Sequence, residues 1–234
     1  MISRIVHHEQ QPLRRRTART AAPARRGVRK KYDAGKTRAN ILSIATREFA
    51  RNGYNGARID AIAAKTSTTK RMIYYYFGGK EQLYIAVLED QYARIRDREG
   101  ALGLEALGPE QAIRRLAEFT FDYDHANPEF VRLVAVENIH HAKHLRKSAV
   151  IRSVNAKIIE TIDAILKRGR REGSFVAKVQ AVDIHMLMSA LCFFHVSNLH
   201  TFGTIFHRDF LSPSLLKTHR KLVADFIIHR LKQR

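Results

Sequence analysis

The chain has 234 residues, with 42 Lys and Arg against 22 Asp and Glu, a formal net charge of +20. Hydrophobic residues make up 45% and charged ones 27%, enough apolar material for a core, so the chain as a whole is not disordered. A lone cysteine, Cys192, excludes an intramolecular disulfide framework, a CxxC redox pair and a Cys-rich zinc finger, while the basic excess points to a polyanionic partner.

The excess is uneven. Residues 1–38 hold 12 basic and 2 acidic side chains (+10), residues 39–84 hold 7 and 3 (+4), and residues 85–234 hold 23 and 17 (+6). Stretches such as Leu13-Arg14-Arg15-Arg16 lack apolar periodicity and cannot offset the entropy of ordering. Residues 1–36 are therefore expected to form a basic, disordered tail: an arm for phosphates or a minor groove, a solubilising tail, or an Arg-rich transit segment. No signal-peptide apolar run lies near Met1, and the run Met186 to Val196 is too short and interrupted to span a bilayer. A cytoplasmic protein without membrane contact is the expectation.

From Lys36 onward the spacing is helical. Ile41, Ile44, Ala45 and Phe49 recur at three and four and stop at Asn52-Gly53. Short patterns follow at Ile59, Ile62, Ala63 and at Ile73, Tyr76, Phe77, then a long one from Leu83 to Ile95 that ends near Gly100. Pro109, Pro128 and Pro213 each suit the first position of a helix. Ile151, Val154, Ile158, Ile162 and Ile165 make one stripe that stops at Gly173. Between about Val182 and Phe202 the apolar residues go nearly all round, and the last pattern runs from Leu215 to Ile227. The prediction is an all-α protein of about nine helices.

The stretch Arg58 to Leu83 carries the most information. Two short helices flank Thr66-Ser67-Thr68, and the second opens Thr69-Lys70-Arg71, the arithmetic of a helix-turn-helix whose second helix enters a major groove. Thr69 suits the N-cap, Lys70, Arg71 and Tyr75 would face nucleic acid, and Ile73 and Phe77 would point inward. Consecutive helical residues diverge by about 100°, so Tyr74, Tyr75 and Tyr76 cannot all face DNA, and Tyr76 is assigned beside Phe77. Met72 reads bases weakly, touching at most a thymine methyl or a sugar.

Over residues 38–85 the sequence resembles the tetracycline-repressor-like (TetR) family of bacterial regulators. Phe49, Gly53, Tyr54, Ile62, Ala63, Thr69, Lys70, Ile73, Tyr74, Tyr75, Tyr76, Phe77, Lys80, Glu81 and Leu83 carry the likeness, in the family spacing IA-x-x-AGVS-x-x-x-(L/I)Y-x-(Y/H)F-x-x-KE-x-L. The resemblance implies base contacts from Lys70, Arg71, Met72 and Tyr75. It implies phosphate contacts from Thr69, Tyr74 and Lys80, with Arg58 at the start of the second helix. Four positions depart from it: Ser67 and Thr68 replace the turn Gly-Val, and Ala57 and Gly79 replace two capping hydroxyls.

The resemblance divides the chain into the tail (1–36), a three-helix DNA-binding domain (37–84) and a helical ligand-binding and dimerisation domain (85–234). It implies a double-stranded DNA operator, an unidentified small-molecule effector, and a homodimer through the last two helices, about 182–202 and 213–231. The breadth of their apolar faces supports such pairing, although the same faces suit a monomer core. Aromatic and polar residues mixed into apolar helices suggest the effector pocket, with Phe121, Asn138, His141, Phe193 and His195 as the named candidates and Phe119, Tyr123 and Phe194 nearby; the list also suits a packed core. His140, His141 and His144 lack a second ligand set and read as a solvated basic face rather than a metal site. No cofactor or catalytic residue is implied, because HExxH, GxSxG and GxxxxGK[ST] are absent. The expected function is a ligand-responsive dimeric transcriptional regulator, a repressor in the first instance. A sequence-nonspecific basic nucleic-acid binder and an α-helical enzyme are the alternatives.

Overall fold

The computed structural model describes Ala34–Gln233, and the tail assigned to residues 1–36 lies outside the described residues up to Asp33. Ten α-helices and two short 3₁₀ turns account for its regular structure, with no strand among the described residues.

Helix α1 (Ala34–Gly56) begins inside the stretch assigned to the tail and buries Ile41, Leu42, Ala45 and Phe49. It kinks at Gly53, where φ is +66°, a conformation glycine adopts without Cβ strain. Helices α2 (Ile59–Thr66) and α3 (Lys70–Phe77) follow, joined by Ser67 at φ +52°. Ser67 thus occupies the left-handed position that the family fills with glycine.

Helix α2 starts from Arg58 without a side-chain cap, and its entry is tied to α1 instead. Glu48, buried on α1, accepts from Asn52 Nδ2 at 2.8 Å and Lys65 Nζ at 3.2 Å, and its Oε1 lies 3.5 Å from the backbone N–H of Arg58. Burial alone would raise its pKa; Lys65, the Arg58 N–H and Asn52 outweigh it and hold the carboxyl below its ordinary value.

Helix α4 (Lys80–Gly100) joins the two halves. Its first turns bury Leu83, Tyr84, Val87 and Leu88 with α1–α3, a core to which Leu133 and Ile151 also belong. The second core is built from α5 (Pro109–Ala126), α7 (Ala149–Arg171), α8 (Ala181–Ser197) and α10 (Pro213–Lys232). Helix α6 (Pro128–Ile139) packs on α1 and α8. Proline stands in the first turn of α5, α6 and α10, as the sequence indicates.

The predicted helix at 182–202 is two. Asn198 leaves helical geometry at ψ +8°, its amide bonding Ser197 Oγ, and α9 (Leu199–Ile205) departs at 62°. A short polar side chain that bonds its own neighbourhood competes with the helical ladder. This break makes ten helices of the expected nine. No single described helix is long and apolar enough to cross a membrane.

Candidate DNA-contacting surface and effector cavity

Helix α3 is oriented by its two buried residues, Ile73 and Phe77, which sit four apart and face the first core. The opposite face is thereby turned to solvent. Thr69 caps the helix, its hydroxyl accepting from the Met72 N–H at 3.2 Å, and Gly78 closes it at φ +82°. Lys70 and Arg71 are exposed, Tyr75 is 79% exposed and Tyr74 40%, while Met72 is half-buried. Tyr76 is half-buried, its ring 6.4 Å from that of Phe77.

Two cations of this surface have intramolecular partners. Lys70 Nζ lies 3.3 Å from Asp60, both half-exposed. Lys80 Nζ donates to the Asn55 carbonyl at 3.2 Å and stands 5.0 Å from the centre of the Tyr54 ring. Arg58 is exposed at the N-cap of α2. Arg38, exposed near the start of α1 with its guanidinium 5.2 Å over the Phe77 ring, belongs to the same neighbourhood. Sequence reasoning missed it because it was counted with the basic tail; its spacing of three from the first buried residue, Ile41, marks it as helical.

A cavity of about 540 Å³ opens between α4, α5, α6, α7, α8 and the turn before α7. Of the five named pocket candidates, Phe193 lines it. The other four do not. Phe121 is buried in the second core, its ring 4.3 Å from that of His125 and tilted 32° to it. Asn138 is exposed and bonds back to the Val134 carbonyl, one turn past the last α6 residue on the cavity. His141 is exposed in a turn at φ +56°. His195 is taken up by other histidines. His125 Nδ1 meets the Phe121 carbonyl at 2.8 Å, His125 Nε2 meets His195 Nδ1 at 2.8 Å, and His195 Nε2 meets His219 Nδ1 at 2.7 Å. A carbonyl only accepts, so with neutral rings each Nδ1 donates along the chain. Burial, helped by His125 and His219, depresses His195 to about 4.

The polar residues of the cavity were not anticipated. Arg96 on α4 has a side chain only 9% exposed; its Nη1 lies 2.8 Å from Glu99 Oε2, yet neither Nε nor Nη1 has a hydrogen-bond partner. Asp124 on α5 is buried beside it. Burial pushes Asp124 and Glu99 up to about 7, with Arg96 opposing, and depresses His185 on α8 to about 4. The available signal was phase: Arg96 follows the buried Ile95, and Asp124 lies one turn after the buried Thr120.

Beside the cavity, the segment 140–148 makes a second buried polar site. Glu137 Oε2 accepts the backbone N–H groups of His144 and Leu145, each at 3.0 Å, and Oε1 meets His144 Nδ1 at 2.8 Å. Burial would raise Glu137, but His144 and those N–H groups hold it below its ordinary value. The His144 ring rests 4.4 Å from Tyr54 and 4.9 Å from Tyr84. His144 is therefore buried rather than on the solvated face expected for it, because it is the partner that a buried carboxylate requires. Ala142, Leu145 and Arg146 of the same segment line the cavity, so one turn touches both the cavity and the first core. Among the described residues no group of three or more His, Cys, Asp or Glu is placed to hold a metal ion.

Helices α8 and α10 keep a broad apolar face in solvent, with Met186 62%, Leu222 60% and Phe226 52% exposed. Phe194 on α8, Phe202 on α9 and Phe206 just after it add an exposed aromatic surface.

Two stretches match a known family. Residues 41–87 match the bacterial regulatory proteins, tetR family, and residues 109–227 match the tetracyclin repressor-like C-terminal domain. The chain is 35% identical over 207 residues to the HTH-type transcriptional repressor NicS of Pseudomonas putida, covering 88% of this chain and 97% of that one. It is 32% identical over 160 residues to the HTH-type transcriptional repressor SCO4008 of Streptomyces coelicolor, covering 68% and 78%. The crystal structure of the transcriptional regulator SCO4942 from Streptomyces coelicolor superposes with a TM-score of 0.65 at 25% identity, covering 85% and 99%.

Proposed function

The chain belongs to the TetR family of bacterial regulatory proteins and is a ligand-responsive DNA-binding regulator, and from that premise we propose a cytoplasmic homodimeric repressor released from its operator by a small molecule. The outward face of α3 carries the DNA part of this reading. Lys70, Arg71, Met72 and Tyr75 supply base contacts, and Thr69, Tyr74, Lys80, Arg58 and Arg38 meet phosphates. The exposed apolar face of α8 and α10 pairs with its own copy, burying Met186, Leu222 and Phe226. Two α3 helices then address successive major grooves roughly 34–36 Å apart.

The effector occupies the cavity. Its walls include Tyr92, Ile95 and Arg96 of α4, the helix whose first residue is Lys80, and Leu145 and Arg146 of the turn that holds His144 against Tyr54 and Tyr84. A ligand that favours another spacing of α4 by a coupling of about 1–3 kcal/mol lowers operator affinity.

Selection from random DNA tests the reading. The expected product is a near-palindromic site bound two chains at a time, and Lys70→Ala with Tyr75→Ala should weaken that site more than random DNA. An equal loss on both would return the protein to charge-driven, sequence-nonspecific binding. Sedimentation of Phe226→Glu should give a monomer where the unaltered chain gives a dimer; a monomeric unaltered chain removes the pairing.

A further inference from the structure

Taking the cavity as the effector site, as proposed above, we infer that its ligand is a compact carboxylate with a flat apolar body, the carboxylate paired with Arg96. The body follows from the lining. Tyr92, Phe130 and Phe193 border the space, Tyr92 and Phe130 meeting edge to face at 5.3 Å, and Ile95, Val134 and Ile151 complete the apolar wall. A planar ring has faces and edges for such partners. About 540 Å³ suits a small molecule, within the usual range for ligand cavities.

The charge follows from the balance of buried groups. The lining contains three arginines, Arg96, Arg146 and Arg152, against one acid, Asp124. Arg146 and Arg152 are exposed, and both are oriented by backbone carbonyls: Arg146 donates to that of His141, Arg152 to that of Arg146 at 3.0 Å. Arg96 is the buried one. Its companion Glu99 borders the neighbouring cleft with Val154 and Lys157, leaving Nε without an acceptor and Nη1 beside Glu99 Oε2 at 2.8 Å but outside hydrogen-bond alignment, so both nitrogens lack well-placed acceptors. A carboxylate supplies them, in the planar geometry that guanidinium matches best. A neutral amide offers a weaker acceptor, and an ammonium group would meet Asp124 only in the company of three arginines.

Protonation completes the site. On α4 the Tyr92 hydroxyl is held neutral by burial, and burial also lowers Arg96 from its ordinary value, with Glu99 opposing; on α8 His185 is neutral above about 4. Asp124 and Glu99 are the groups that titrate near neutrality. A protonated Asp124 can donate to the bound carboxylate, whereas an ionised one repels it. Binding therefore takes up a proton and weakens as the pH rises past about 7, by up to about tenfold per unit.

Calorimetry on the full chain without DNA tests the assignment, with benzoate and 2-naphthoate as probes, their primary amides as neutral isosteres, and benzylamine as the cation. The expected result is saturable binding of the acids, amides weaker by about tenfold or more, and no binding of the amine. Acid affinity should fall between pH 6.5 and 8.5, and Arg96→Met should lower it about 10- to 100-fold while sparing the amides. Should Arg96→Met fail to fold, the acid–amide ratio and the pH slope of the unaltered chain decide the matter. Amides or amines that bind as well as the acids, or no saturable binding by either acid, overturn the carboxylate. Ser189→Trp, which fills the cavity, separates the two readings. Amide binding that it abolishes keeps the site and rejects the ligand class; acid binding that it leaves unchanged rejects the site itself.

Discussion

The Glu137–His144 clasp and the Arg96–Glu99–Asp124 cluster both bury carboxylates beside nitrogen donors, yet they treat them oppositely. Glu137 receives two backbone N–H groups and an imidazole nitrogen and is held below its ordinary pKa. Glu99 and Asp124 share one guanidinium, have few donors, and are pushed up to about 7. A satisfied buried charge fixes a conformation; an under-satisfied one leaves the site short of a partner that a ligand can bring. In this chain the first lies where the turn before α7 meets α1 and α4; Arg96 and Asp124 of the second line the cavity, with Glu99 on the neighbouring cleft.

The largest expected effect comes from breaking the clasp. Glu137→Ala strands two backbone donors and an imidazole in a site that admits almost no water, and should cost about 3 kcal/mol in urea unfolding. Asp124→Ala should cost clearly less, because it removes a group whose charge is already disfavoured. Equal costs would erase the distinction between the two sites.

The next effect is a slope. Between pH 4 and 6.5 the folded chain retains protons on Glu99 and Asp124 that the unfolded chain has released, so each lowers stability as pH rises, by about 1.4 kcal/mol per unit. His185 and His195, depressed from 6.5 to about 4, do the reverse: their stability contribution is full above 6.5 and is lost as pH falls toward 4. His219, also lowered by burial, tilts the same way as the other two histidines, so across this window the unaltered chain should gain stability gently as pH rises. Asp124→Asn should steepen that rise by about 1.4 kcal/mol per unit, and His195→Gln should lessen it by a similar amount, both read from chemical unfolding at several pH values. A profile unchanged in Asp124→Asn would mean that Asp124 is ionised in the folded chain.

The DNA-contacting surface and the cavity also differ in how much of them could be read from the chain. Lys70, Arg71 and Tyr75 are legible because one eight-residue helix carries them, and Ile73 and Phe77 fix which side faces out. The turn was legible too, from Thr66-Ser67-Thr68 set between the two short helices. The cavity draws on residues from Tyr92 to Phe193, carried by five helices and a turn, and no local period reports which of their faces converge. Phe121 and His195 were chosen for chemistry suited to a pocket, and packing spent them on each other and on His125. His144 looked solvated beside Lys143 and Arg146, since nothing local announces Glu137 seven residues earlier as its partner. The break at Asn198 was hidden by apolar residues on both sides of it.

Exposed polar contacts complete the series at its weak end. Thr69→Ala removes one capping acceptor from an exposed helix start, an expected loss of about 1 kcal/mol, visible as a drop of a few degrees in Tm and reversed in Thr69→Ser.

Asp60→Asn should do less still to stability, under about 0.5 kcal/mol, because the Lys70–Asp60 pair at 3.3 Å is half-exposed on both sides and screened by water. Its informative readout is DNA. If Asp60 merely neutralises Lys70 in the free protein, the substitution releases the ammonium for a phosphate or a base edge and removes a negative charge from the approaching surface. Affinity for the selected site should then rise a few-fold, with a steeper salt dependence. If affinity falls instead, Asp60 is holding Lys70 in its reading position. The pair would then belong with the Glu137–His144 clasp, as a charge contact whose value lies in the conformation it fixes.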